Sequence, residues 1–289
     1  MNRLLEWVFS AALALAAAGA FAAPAALVEG VQMPAWVERA GKRMPLAAGT
    51  ELIASDEVST GPGARLYIKL AEGSLVKLGE NASLQLLDLV PERGGVFKAA
   101  LSVLVGAFRF TTDALAKPRR RDVSIRISTV TAGIRGTDIW GRSAPDRQIV
   151  CLIEGRIEVG AEGEQPVRMD QPRQYYQRDK GKTQPVGLID AKQLAEWSRE
   201  TEIEPGTGAA RRGGKWKVTL ARAESRDAVL AVNEKARLAG YAAEIRTVMD
   251  GGKRIQVVRI GQLPSRAEAE VLAARLRGRH GIIEPTVSN

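Results

Sequence analysis

The chain contains one cysteine, Cys151, and one histidine, His280. A lone thiol excludes an intramolecular disulfide framework and any multi-thiolate metal site. A lone imidazole excludes a two-histidine metal site and leaves a Ser-His-Asp triad with a single candidate base. That candidate stands between Arg279 and Gly281 and reads as the solvent-facing end of a helix. No pair of carboxylates has spacing that points to glycosidic hydrolysis. Beyond the first 22 residues no stretch approaches the ~18 apolar residues of a membrane-spanning helix. These absences predict a protein that is not an enzyme, with no cofactor, no metal and no transmembrane helix in its mature form.

The 289 residues suggest two domains, and 45% apolar residues exclude a disordered chain. A formal charge of +9 favours an anionic partner. The N-terminus narrows the choice. Met1-Asn2-Arg3 is a short basic start, Val8 to Ala20 is an uncharged alanine-rich run, and Ala20-Phe21-Ala22 places small residues where a signal peptidase reads them. This pattern predicts a cleaved secretory signal over residues 1–22 and a mature start at Ala23. Export leaves partners in the envelope and excludes nucleic acid.

From residue 27 to 188 the reading is all β, in a sandwich, barrel or solenoid of short strands. Ala64, Leu66, Ile68 and Leu70 alternate with Arg65, Tyr67 and Lys69, between turn signals at Gly61-Pro62-Gly63 and Glu72-Gly73-Ser74. Cys151 lies in the apolar run Ile149–Ile153 and reads as a small buried hydrophobe. Arg119-Arg120-Arg121 reads as a solvated basic loop. Asp190 and Gln193 have capping-box spacing, so residues 189–204 form a connecting helix with Leu194 and Trp197 on one face. Residues 205–214 are polar and glycine-rich, the composition of a linker between independently folding units.

Residues 215–289 contain an internal repeat with a shift of 40. Val218 falls on Val258, Leu220 on Ile260, Ser225-Arg226 on Ser265-Arg266 and Val232 on Leu272. Each copy reads strand-helix-strand, with Ser225 and Ser265 at the helix starts. The expected result is an α+β domain, a four-stranded sheet with both helices on one face and the other face open. Alternation puts Lys217, Thr219 and Ala221 on the open face, and the repeat adds Val257 and Arg259.

Trp216–Leu220, the two Ser-Arg helix starts and Val258–Gly261 resemble the SPOR (sporulation-related repeat) domain, across residues 215–289. The resemblance implies binding of peptidoglycan glycan strands, above all strands stripped of stem peptides at division sites, through the exposed sheet face. On that basis Lys217, Thr219, Arg246, Val257 and Arg259 are the candidate glycan contacts. Pro45 through Gly63, Glu72-Gly73-Ser74, Ile134-Arg135-Gly136-Thr137-Asp138 and Glu154-Gly155-Arg156 resemble the FecR-type periplasmic domain. Glycine in the Arg-Gly-Thr element reads as a turn requirement. The expected protein is periplasmic, enriched at the division septum, and binds glycan while its FecR-type domain serves as scaffold or contacts an envelope protein. The alternative is an envelope signalling protein that the SPOR-like domain only localises.

Overall fold

Alternation in the sequence becomes burial in the fold. Leu66, Ile68 and Leu70 are buried on one face of the strand Arg65–Leu70, which pairs with Ala26–Gln32 on one side and Leu75–Leu78 on the other. The computed structural model describes residues 24–91, 96–112, 120–134 and 136–289. The expected signal over residues 1–22, together with Arg119 and Arg135, lies outside the described residues.

One sheet continues from Leu75–Leu78 through the second half of Val96–Thr111 to Asp138–Ala144, Arg147–Glu154 and Gln174–Asp179. The other runs from Lys42–Pro45 through Ala35–Arg39, Glu57–Thr60 and Ser83–Pro91 to the first half of Val96–Thr111. It ends with Arg120–Ile127, Val130–Ile134, Ile157–Ala161 and Val167–Met169. Arg120 and Arg121, expected in a loop, therefore open a strand, and its pairing with Val96–Thr111 is parallel. The 16-residue strand Val96–Thr111 belongs to both sheets. It changes sheet at Gly106, whose φ of +93° and closeness to Ala82, 2.5 Å from where a Cβ would stand, admit no side chain. Val28, Ile68 and Phe108 of one sheet and Val58, Leu84 and Leu101 of the other join one apolar cluster. Of the three β architectures left open by sequence, this is the two-sheet solution, and among the described residues no barrel closes.

Helix Ala191–Arg199 starts as its capping spacing predicts: the Gln193 N–H donates to Asp190 Oδ1 at 2.8 Å. Leu194 and Trp197 pack on the outer face of the first sheet, where the Trp197 ring stacks on Trp140 at 4.7 Å and meets Tyr175 edge-on. Cys151 is buried in the same cluster, and burial pushes its thiol up to about 12.

After the helix the chain crosses the same face as a strap. Lys77 Nζ (2.5 Å) and Arg109 (3.1 Å) donate to Glu202 Oε1, and the Tyr67 hydroxyl donates to Oε2 at 2.6 Å. The Ile203 N–H donates back to the Tyr67 oxygen at 2.8 Å. Burial, then the hydrogen bond to Glu202, pushes Tyr67 up to about 12. Burial alone would raise Glu202, but the hydrogen bonds from Lys77 and Tyr67 prevail and its carboxyl stays below the ordinary range.

The stretch expected as a polar linker is packed instead. Ala210–Arg211 pairs with Gly30 and Val31. Gly206 (2.6 Å), Gly208 (2.5 Å) and Ala209 (3.3 Å) donate their N–H groups to the Glu268 carboxylate. Positive φ at Gly206 and Gly208 turns these donors toward one point. The glycines suggested looseness, whereas in the fold they form a backbone nest around an acid 62 residues away in sequence.

In residues 215–289 the strand order is Glu244–Asp250, Lys253–Leu263, Trp216–Ala223, Thr286–Ser288. Helices Asp227–Leu238 and Arg266–Leu276 cover one face, the second burying Ala269, Leu272, Ala273 and Leu276 as its stripe predicts. Ser265 caps that helix by accepting from the Glu268 N–H at 3.2 Å, and Ser225 accepts from Ala228 at 3.3 Å. The apolar cluster runs without a break from Val31 and Met33 into Ile260, Leu272 and Leu276. Trp36 Nε1 donates to the Leu238 carbonyl at 3.3 Å, and Gln262 Nε2 donates to that of Ala48 at 2.8 Å. The expected independent units therefore share a core.

Candidate functional site

The sheet face opposite the helices is built from cross-strand rows. Val218, Leu220, Val258 and Ile260 turn to the helices and are buried. Glu244, Arg259, Thr219 and Thr286 stand opposite one another as one row of the other face. The next row is Arg246, Val257 and Arg222. Lys217 lies beyond the first row, opposite Ser288. Lys217, Thr219, Arg246, Val257 and Arg259 thus lie on one face.

Their accessibility differs. Arg246 is 57% exposed in its side chain and Arg259 27%, while Lys217 and Thr219 are half-buried. Val257 is only 5% exposed, because it sits mid-sheet between Arg222 and Arg246. It forms the floor of the row and offers almost no surface of its own.

Sequence reasoning missed Arg222. Strict alternation from Lys217 places Ala221 on the open face, but the register shifts between Thr219 and Ala221. The irregularity turns Ala221 into the apolar cluster and brings Arg222 opposite Val257. Arg222 is half exposed and paired with Asp250. Neither hydropathy nor the repeat marks that shift. None of the residues paired across this face is aromatic, so a sugar would be held by charge and hydrogen bonds.

Glu244 organises the arginines. Its Oε2 accepts from Arg246 Nη2 at 2.6 Å and its Oε1 from Arg259 Nε at 3.2 Å. The Arg246 hydrogen bond holds the Glu244 carboxyl below the ordinary range, helped by Arg259 and opposed by burial. Arg246 is raised in turn by its bond to Glu244. Glu244 also lines a small cleft with Gly261, Gln262 and the N-terminal residues Val31, Ala47 and Ala48, where the two parts of the chain meet.

Other singled-out residues take structural places. Gly136 has φ +66°, as a turn requires, and Gly155 has φ +94°. A Cβ on Gly155 would lie 2.5 Å from the Gly136 carbonyl oxygen, so the two glycine motifs need each other's bare backbone. The Thr137 N–H donates to Thr112 Oγ1 at 2.8 Å, and that hydroxyl donates to the Thr137 carbonyl at 2.6 Å. His280 is half-buried, with its ring 5.7 Å from that of Tyr241, where solvent exposure was expected. Among the described residues no group of His, Cys, Asp and Glu could hold a metal ion, and no helix is long and apolar enough to cross a membrane.

Comparison with solved structures finds two crystal structures of a proposed anti-sigma factor from Parabacteroides distasonis ATCC 8503. One, at 1.65 Å, is 13% identical with a TM-score of 0.40, covering 81% of this chain and 98% of that one. The other, at 2.50 Å, is 11% identical with a TM-score of 0.40, covering 68% and 96%. The comparison with curated proteins finds no match. Two family comparisons do match, FecR protein over residues 56–158 and SPOR domain over residues 212–288. With the paired sheets in front and the two-helix sheet behind, the chain carries a FecR domain followed by a C-terminal SPOR domain.

Proposed function

We propose that this is an exported, non-enzymatic envelope protein that holds peptidoglycan glycan strands on the open face of its SPOR domain. The observation that carries the reading is the clustering of Arg222, Arg246 and Arg259 with Lys217 and Thr219 on the face opposite the helices. A glycan stripped of its peptides presents muramic acid carboxylates and hydroxyls. Guanidinium groups meet carboxylates with paired, charge-assisted hydrogen bonds, and Thr219 supplies a hydroxyl to the sugar. The SPOR match supports peptidoglycan as the partner, and the export signal over residues 1–22 supports a periplasmic place, with enrichment where stripped strands collect. The FecR domain, sharing its core with the SPOR domain, serves as a rigid scaffold.

Co-sedimentation with amidase-treated sacculi tests this. Arg259→Ala should weaken binding about five- to a hundredfold, the range for losing a partly exposed charge-assisted hydrogen bond. Arg222→Ala should also weaken it. Wild-type sedimentation by both variants, with native circular dichroism, would show that the face is wrong. The FecR match favours one second reading, envelope signalling, in which that domain contacts a regulator and the SPOR domain localises it. A periplasmic partner captured by wild type, and lost on substitution of surface residues of the FecR domain alone, would decide for signalling.

A further inference from the structure

Every arginine on the proposed glycan face is already paired with a resident carboxylate. Arg222 is held by Asp250, and Arg246 and Arg259 are both held by Glu244. The second arrangement differs from an ordinary surface ion pair. One carboxylate divides its two oxygens between guanidinium groups from adjacent strands, and it stands in the same row as Arg259 and Thr219. Two guanidinium groups converging on one carboxylate would also suit the carboxylate of a bound muramic acid.

We infer that Glu244 is a built-in competitor for the ligand: it occupies the Arg246–Arg259 pair in the free protein, and a glycan carboxylate takes its place on binding. The inference rests on the glycan reading above and adds a selectivity rule to it. A carboxylate-bearing chain recovers both arginine contacts after displacing Glu244. A neutral N-acetylglucosamine chain cannot, since its hydroxyls and amides exchange a charge-assisted contact for a weaker one. The arginines therefore engage only a ligand whose contacts outweigh the resident pair, and Glu244 lowers that ligand's affinity by the strength of the pair it gives up. Displacement is sterically open, because the Glu244 side chain is 40% exposed and borders the cleft beside Gly261. Glu244 faces Arg246 and Arg259 and no other titratable partner in its ion pairs.

Three ligands test the idea on wild type and Glu244→Gln: amidase-treated sacculi, insoluble chitin as a neutral glycan, and free N-acetylmuramic acid. The glutamine keeps the size of the side chain and removes its charge. Glu244→Gln should bind the sacculi about three- to tenfold more tightly, the reach of releasing partly exposed ion pairs, and should gain less on chitin. In N-acetylmuramic acid titrations followed by NMR, the Arg259 Nε–H resonance should saturate at lower ligand concentration in the variant. Unchanged or weaker binding of Glu244→Gln to sacculi overturns the inference and leaves the glycan reading standing, since Glu244 would then position the arginines. If neither protein binds sacculi, the glycan reading fails. The N-acetylmuramic acid titration then still decides the competitor role, and equal saturation in both proteins refutes it.

Discussion

Replacing Glu268 by alanine should release the connector between the two domains. Glu268 is 9% exposed and accepts N–H groups from Gly206, Gly208 and Ala209. The three donors are not equivalent. Gly206 is exposed, so water can replace the carboxylate there. Gly208 and Ala209 are buried and would be left without an acceptor. Stranding two buried donors at about 1–3 kcal/mol each, with the longer 3.3 Å bond at the low end, gives a local loss of about 2–4 kcal/mol. That raises the open population of the connector about 30- to 700-fold at 1.4 kcal/mol per tenfold. Trypsin cleavage after Arg211 or Arg212, mapped by mass spectrometry, reads this population when reclosing outpaces cutting. Arg211 lies in the strand paired with Gly30, so the wild-type protein should be cut there slowly. Arg275 is a second tie across the junction, donating to the Met33 and Thr207 carbonyls. A Glu268→Ala protein with native circular dichroism that is cut at the wild-type rate would refute the reasoning. Rapid cutting of wild type at Arg211 would refute it too, and would restore the flexible linker.

Two further outcomes follow from one partly buried and one fully buried titrating group. Glu202 has a lowered folded pKa, so its contribution is present above the unfolded carboxylate range and disappears as pH falls through the folded value. Thermal unfolding between neutral and acid pH should therefore show a smaller acid loss in Glu202→Gln than in wild type, and parallel curves would contradict the network with Lys77, Tyr67 and Arg109. Cys151, buried and raised to about 12, should react with a thiol reagent only on unfolding, and rapid labelling of the native protein would show that the cluster around Trp140 is open.

Much of this fold could be read from side-chain periodicity, and what escaped is backbone. Leu66, Ile68 and Leu70 alternate visibly and are buried, Asp190 and Gln193 announce a helix start, and the repeat reveals two strand-helix-strand units. The last strand of the second unit is short, covering only Thr286–Ser288. The shift between Thr219 and Ala221 is invisible because a bulge is a property of pairing, which the residues on one strand do not specify. The same holds for the connector: composition describes the side chains of residues 205–214, while the fold uses their N–H groups. On the candidate site, charge type and alternation placed Lys217, Thr219, Arg246 and Arg259 together, yet Glu244 lay outside that reasoning because attention to an anionic ligand favours cations.

The strand Val96–Thr111 ties the folding of the FecR domain to the order in which the chain becomes available. Its first half needs Ser83–Pro91 before it and Arg120–Ile127 after it, and its second half needs Leu75–Leu78 and then Asp138–Ala144. Neither sheet can therefore finish on the N-terminal side alone. A chain emerging from a membrane pore with its N-terminus first would hold an unpaired edge on each half of this strand, the first until residue 127 and the second until residue 144 had followed, the kind of edge that recruits strands from other molecules. Non-local pairing of this sort also slows folding, so the waiting time and the hazard grow together.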